Sequence, residues 1–194
     1  MEKSHLINYL LYDLCVVQKM FNCVVVFTAS PHYYYGIILE QFIHETYSDD
    51  KMRRIEQHQK SHPESELLIV FDDFCGMIKN FHDSNSVLSS LLTHYRHPNT
   101  HFSCIFACHL SNHISPTVRT ITTYWVVFRQ KDKNSAKLLY ESAGYEYESY
   151  AEFKKAINTN CVDRAFLFVD KESESNSGEF AKAPKIIPKY SLNY

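Results

Sequence analysis

The sequence predicts an α/β domain with a largely parallel sheet, and two observations carry the prediction. Residues 67–74 read Leu-Leu-Ile-Val-Phe-Asp-Asp-Phe, an unbroken apolar run that ends on Asp72 and Asp73. A run this short, rich in branched and aromatic residues, is the pattern of a strand buried on both faces, as in parallel sheets covered by helices. Strand-like and helical segments also alternate along the chain, the order that βαβ units produce. Ligands bind at the carboxyl ends of such strands, which puts the aspartate pair where a site belongs.

Two adjacent carboxylates repel and resist burial unless a cation or a chemical task compensates them. Nucleotide hydrolysis suits the pair: one Asp steadies Mg²⁺, and the next orients or activates the attacking water. A strand ending in a solvated acidic turn explains the octapeptide equally well, so the remaining elements must decide.

With 194 residues, 45% of them hydrophobic, the chain has enough material for one domain with a substantial core. Its net charge of −2 carries no global basic signal, so any nucleic-acid contact needs a local patch or an oligomer. Only 4 glycines are present, few for a complete nucleotide-binding domain, because phosphate loops need them. The cysteines Cys15, Cys23, Cys75, Cys104, Cys108 and Cys161 lack tight paired spacing and lie mostly in apolar runs. They read as reduced, buried thiols of a soluble intracellular protein. No stretch has the length of a membrane span or the layout of a signal peptide.

In chain order, Leu6, Leu10, Leu14 and Val17 keep helical spacing within a helix predicted over 3–20, with Leu11, Cys15 and Met20 widening its apolar face. A β-branched run over 23–28, bounded by Asn22 and Ser30-Pro31, predicts a buried strand. A polar-aromatic loop follows at 32–35, then a helix over 37–47. Asp49-Asp50 suits the start of an exposed helix continuing over 51–60, which His62-Pro63 ends. After the aspartate pair, Ser84 or Asn85 caps a helix over 87–94. A strand over 102–108 ends at His109. A Pro-containing connector with Arg119 spans 114–120. A strand over 124–128 ends at Arg129, and helices follow over 135–144 and from Ser149 to Ile157. A short strand over 165–169 precedes a charged, Ser-rich segment that reads as a mobile tail.

That order of motifs resembles one family. Asp72-Asp73 and a helix come first. Tyr95-Arg96-His97-Pro98-Asn99 then leads into a strand ending at a polar residue, followed by Ile114-Ser115-Pro116-Thr117-Val118-Arg119. A strand ending Val127-Phe128-Arg129, a helix with Leu139-Tyr140, and Phe166-Leu167-Phe168-Val169-Asp170 complete the set. The set resembles the genome-packaging ATPases of large double-stranded DNA viruses and virus-like elements, a poxvirus-type branch of the FtsK/HerA P-loop ATPases. The resemblance covers roughly residues 1–170 and rests on the ordered set, since no single motif is decisive.

The resemblance implies a three-layer P-loop NTPase-like domain over 1–170 and a flexible tail over 171–194. It implies a homo-oligomeric ring that hydrolyses ATP with Mg²⁺ and pumps double-stranded DNA into a capsid, contacting capsid proteins at the virion or the site of viral assembly. Lys3 would meet the β/γ-phosphates, Ser4 and Asp72 would hold Mg²⁺, and Asp73 would activate water. His109 stands where the family places a polar sensor, most often Gln. Arg96 or Arg119 could reach a phosphate across a subunit interface.

One departure stands out. A P-loop needs two glycines ahead of its Lys-[Ser/Thr], preceded by a strand. Here Lys3-Ser4 opens the first helix, Glu2 stands where the second glycine belongs, and Met1 precedes it. The domain therefore reads as N-terminally truncated, without its first strand and phosphate loop, and very weak ATP affinity is expected. A fragment of an active ATPase and a P-loop-less relative acting as an assembly or interaction module are competing explanations. A superfamily member with a cellular DNA-handling task is a third.

Other constellations carry less. His94, His97, His101, His109 and His113 with Cys104 and Cys108 lack paired zinc-finger spacing. Cys108-His109 has no third partner for nucleophilic chemistry. Tyr33-Tyr34-Tyr35 could stack on bases, but a packed aromatic loop explains it more simply. Lys51, Arg53, Arg54 and Lys60 form a basic helix face that could meet DNA, as could Lys182, Lys185 and Lys189. A solvated face is the commoner origin of such a pattern.

Overall fold

The computed structural model describes residues 2–73, 87–94, 102–109, 114–173 and 178–192. These divide into two compact units, one comprising 1–109 and 186–194, the other 110–185.

The first unit is built on a parallel sheet of order β2-β1-β3-β4, from β1 (Cys23–Thr28), β2 (Ile43–His44), β3 (Leu67–Asp72) and β4 (Phe102–Ala107). β3 is central and buried at all six positions, as the unbroken apolar run requires. It pairs in register with β1 from Cys23↔Leu67 to Thr28↔Asp72, and with β4 from Leu67↔Phe102 to Asp72↔Ala107. One face of the sheet packs Val24, Val26, Leu68 and Val70 against Ile7 and Leu11 of α1 (Glu2–Leu11). On the other face Ile55 of α2 (Asp49–Ser61) and Leu91 of α3 (Val87–His94) lie beside Leu67, Ile69 and Phe102. Helix, sheet and helix make the three layers. The Ser48 hydroxyl caps α2 by accepting from the Lys51 N–H, ahead of Asp49 and Asp50 in the first turn.

Two sequence expectations change here. The helix predicted over 3–20 is α-helical only to Leu11, and Tyr12–Val17 forms a π-helical segment. The Gln18 N–H reaches back five residues to the Asp13 carbonyl, so the 3.6-residue period fails and Val17 and Met20 are left about half exposed. The helix predicted over 37–47 is instead a 3₁₀ turn, Glu40–Phe42, followed by β2, which pairs with β1 through Val26↔Ile43. Ile43 is a good strand former, and pairing with an existing strand outweighs a helix there. The cap expected at Ser84 or Asn85 lies outside the described residues.

The segment expected as a mobile tail carries structure. Gly178–Lys182 forms β7 in the second unit, and Leu192 returns to the first. Leu192 forms a parallel bridge with Ile38, its N–H donates to the Ile37 carbonyl at 2.6 Å, and its side chain is buried. The Tyr190 hydroxyl donates to the Asn8 carbonyl at 2.8 Å. These apolar residues find a core that their polar neighbours conceal. Leu192→Ala is therefore expected to lower unfolding free energy by about 2–3 kcal/mol, read from urea titration at unchanged m-value.

The second unit holds an antiparallel sheet of order β5-β6-β7, from β5 (Tyr124–Val127), β6 (Ala165–Asp170) and β7. Helices α5 (Lys133–Ala143) and α6 (Tyr150–Asn160) bury Ala136, Leu139, Phe153 and Ile157. Asp132 caps α5 and Ser149 caps α6. The connector expected over 114–120 contains a six-residue helix, α4 (Pro116–Ile121), capped by Ser115 with proline in its first turn.

Candidate nucleotide site

The carboxyl end of β3 and the first turn of α1 converge. Asp72 closes the buried strand and is only 3% exposed. Its Oδ2 accepts from the Tyr34 hydroxyl at 2.8 Å and lies 3.5 Å from the Ser4 hydroxyl, a donor at the limit of hydrogen-bond reach. Its Oδ1 is buried with no partner. Burial pushes the Asp72 carboxyl up; the Tyr34 hydrogen bond opposes that, and the Asp73 charge adds to it. A carboxylate raised by burial, with one bare oxygen and a hydroxyl alongside, suits a hard divalent cation, whose charge would compensate the desolvation.

Asp73 faces a different environment. It has left the strand with φ of +55°, a left-handed conformation that Asp tolerates better than branched residues do. Its N–H donates to the Ala107 carbonyl at 3.0 Å, which ties the turn to β4. Lys3 Nζ donates to Oδ1 at 2.9 Å, and His109 Nε2 lies 2.9 Å from Oδ2. Burial alone would raise this carboxyl, but the Lys3 hydrogen bond and charge, with His109 behind them, hold it below the ordinary carboxylate range. The two neighbouring aspartates are thus driven apart, which is how paired carboxylates come to hold different roles.

The structure brings together five of the residues singled out from sequence: Lys3, Ser4, Asp72, Asp73 and His109. Arg119 lies in α4 of the second unit, where its carbonyl accepts from Lys171 Nζ at 3.4 Å. Arg96 lies outside the described residues. Tyr34 is the member that sequence reasoning missed. In the run Tyr33-Tyr34-Tyr35 the outer two are about half exposed and the middle one is fully buried. Nothing in the local pattern distinguishes it, because only the packing of the loop on α1 and β3 selects which ring turns inward.

The basic face of α2 is largely committed within its own surroundings. Arg53 pairs with Asp50 at 3.3 Å, Lys60 with Glu56 at 2.6 Å, and Lys51 Nζ donates to the Thr46 carbonyl at 2.9 Å. Lys182 pairs with Asp163 at 2.5 Å. Among the described residues no cluster of three or more His, Cys, Asp or Glu side chains could hold a metal ion, and no helix is long and apolar enough to cross a membrane.

The family profile described as "Poxvirus A32 protein" matches residues 9–155. The chain belongs to the poxvirus A32 family. The matched span contains Asp72, Asp73 and His109, whereas Lys3 and Ser4 precede it and are linked to the aspartates by geometry. No curated protein matches this A32-family chain in sequence.

Among solved structures, the genome packaging NTPase B204 of Sulfolobus turreted icosahedral virus 2 in complex with AMPPCP matches with a TM-score of 0.68 at 15% identity, over 94% of this chain and 92% of that one. The same NTPase in complex with AMP gives 0.69 at 16% identity, again over 94% and 92%. B204, the DNA-packaging ATPase from Sulfolobus turreted icosahedral virus, gives 0.65 at 14% identity, over 94% and 92%. At such identities the likeness speaks for the fold, which is P-loop NTPase-like.

Proposed function

We propose that this A32-family chain is the ATPase subunit of a viral motor that couples ATP hydrolysis to translocation of double-stranded DNA into capsids. One observation carries the reading. Lys3-Ser4 at the start of a helix meets Asp72-Asp73, about 70 residues away in sequence, through contacts of 2.9 and 3.5 Å. A lysine and a hydroxyl opposite an aspartate pair are the residue types that phosphoryl transfer requires. Family membership and the resemblance of the fold to packaging NTPases point the same way.

In this reading Lys3 carries its charge to the β/γ-phosphates, and Ser4 and Asp72 hold Mg²⁺. The cation, when bound, would neutralise charge developing on the phosphates. Asp73 positions and deprotonates the attacking water. Lys3 is shared between two partners: once the phosphates draw it away, Asp73 loses the contact that depresses its carboxyl and becomes a stronger base. His109, already within hydrogen-bond distance of Asp73, serves as the sensor that reports the γ-phosphate. Arg96 or Arg119 supplies a cation across a subunit interface of a homo-oligomeric ring, and the assembly engages DNA and capsid proteins.

A second reading, an assembly module without catalysis, draws on Glu2. It immediately precedes Lys3 in α1, where a P-loop has the glycine that lets backbone amides approach phosphate. Calorimetric titration of the purified chain with Mg²⁺–ATP, alongside turnover assays with and without double-stranded DNA, separates the two. The motor reading expects binding much weaker than micromolar, abolished in Lys3→Ala, and turnover stimulated by DNA. Absence of both binding and turnover at millimolar ATP would leave the assembly module.

A further inference from the structure

Tyr34 stands in the sequence only as the middle of an aromatic run, yet its hydroxyl makes the shorter of the two hydrogen bonds to the Asp72 carboxylate. We propose that Tyr34 is a positioning residue for the metal site: by occupying Oδ2 of Asp72 it orients the carboxylate so that Oδ1 is offered to the divalent cation. The proposal rests on the ATPase reading and deepens it.

Three observations carry it. The Tyr34 side chain is 0% exposed, so its hydroxyl must find a protein partner, and the partner it finds is Asp72 Oδ2 at 2.8 Å. A buried ring needed only to fill space would be served as well by phenylalanine. Second, Asp72 Oδ1 is buried and has no partner, an arrangement that costs stability unless something else occupies that oxygen. A carboxylate with both oxygens saturated would have to break a bond to take a cation. One with Oδ2 fixed and Oδ1 bare is already arranged, which is the service that outer-shell hydrogen bonds give to metal ligands.

Third, the loop holding the ring is itself clamped. The Tyr34 N–H donates to the Pro31 carbonyl at 2.9 Å, and its own carbonyl accepts from the N–H groups of Ile37 and Ile38, both at 3.0 Å. Ile38 in turn bridges to Leu192.

The test compares ATP affinity in Mn²⁺ with ATP affinity in EDTA for the full chain, so that the metal-dependent gain is separated from nucleotide binding itself. Tyr34→Phe is expected to reduce the gain about tenfold, the usual cost of losing an outer-shell partner, with affinity in EDTA unchanged. Asp72→Asn should abolish the gain. If Asp72→Asn abolishes it and Tyr34→Phe leaves it intact, the role of Tyr34 is overturned while the ATPase reading stands. If the unmodified chain binds no ATP in either buffer, the ATPase reading falls and this proposal falls with it. Should Tyr34→Phe fail to fold, 3-fluorotyrosine at position 34 preserves ring and donor. Its fluorine resonance should shift when Mg²⁺ is added to the ATP-bound chain, and a static resonance would overturn the proposal.

Discussion

Asp73→Asn is expected to lower ATP turnover by on the order of 10²–10³-fold, the contribution of a positioned general base, while ATP binding persists. The substitution is clean by geometry. Asparagine tolerates the left-handed backbone at φ +55° about as readily as aspartate, and the N–H bond to Ala107 is retained. The ion pair with Lys3 is lost, but it is partly open to water, where such pairs contribute little to stability. Fold and affinity should therefore survive, and the loss should fall on the chemical step. Single-turnover hydrolysis measured beside equilibrium ATP binding resolves this. Turnover within threefold of the parent chain would remove Asp73 from the chemistry.

The largest structural effect is expected at the residue just before the pair. Phe71 sits between Phe27 and Phe106, with ring centroids at 5.1 and 5.0 Å and interplanar angles of 9° and 5°. The three rings form a stack running across β1, β3 and β4, because the parallel register places Phe27, Phe71 and Phe106 opposite one another. Phe71 is 0% exposed. Truncation to alanine removes the middle ring and leaves a cavity whose neighbours are held by their own strands, so relaxation is limited. The expected cost is roughly 3–5 kcal/mol, with the ring contacts adding to simple area loss. Against a total stability of about 5–15 kcal/mol, this removes a large share of what holds the fold together. Phe71→Leu, which refills most of the volume, should cost less. Denaturant unfolding of both variants provides the check, and an alanine variant losing under 1 kcal/mol would mean that the site collapses around the gap.

The connection between the two predictions is geometric. The stack fixes the level at which β3 ends, and Asp72 and Asp73 follow at once. A disturbed stack should move the carboxylates as well, so Phe71 variants that remain folded are expected to lose turnover.

Much of this was legible in sequence where short-range pattern and physical necessity coincide. The β3 run could hardly be anything but a buried strand, and its two aspartates could hardly lie anywhere but at its end. Ser149 caps a helix where the sequence places it, whereas the caps at Ser48 and Ser115 emerge only in the structure. Lys3 and Ser4 entered through a resemblance, and folding brought them to the aspartates. The segment over 37–47 misled because its apolar residues keep no clear period, and only the edge of β1 selects a short strand at Ile43–His44.

By itself, the sequence determined the α/β class, the buried central strand and the chemistry offered at its end, because hydrophobic periodicity and capping act over a few residues. The tertiary structure decided which of three consecutive tyrosines turns inward and how one aspartate comes to sit above the ordinary carboxylate range and its neighbour below it. It also decided that Tyr190 and Leu192 return to Asn8 and to the turn at Ile37 and Ile38. Each of these depends on contacts between residues far apart in the chain, where burial and partner charge are set by packing, and no local pattern records them.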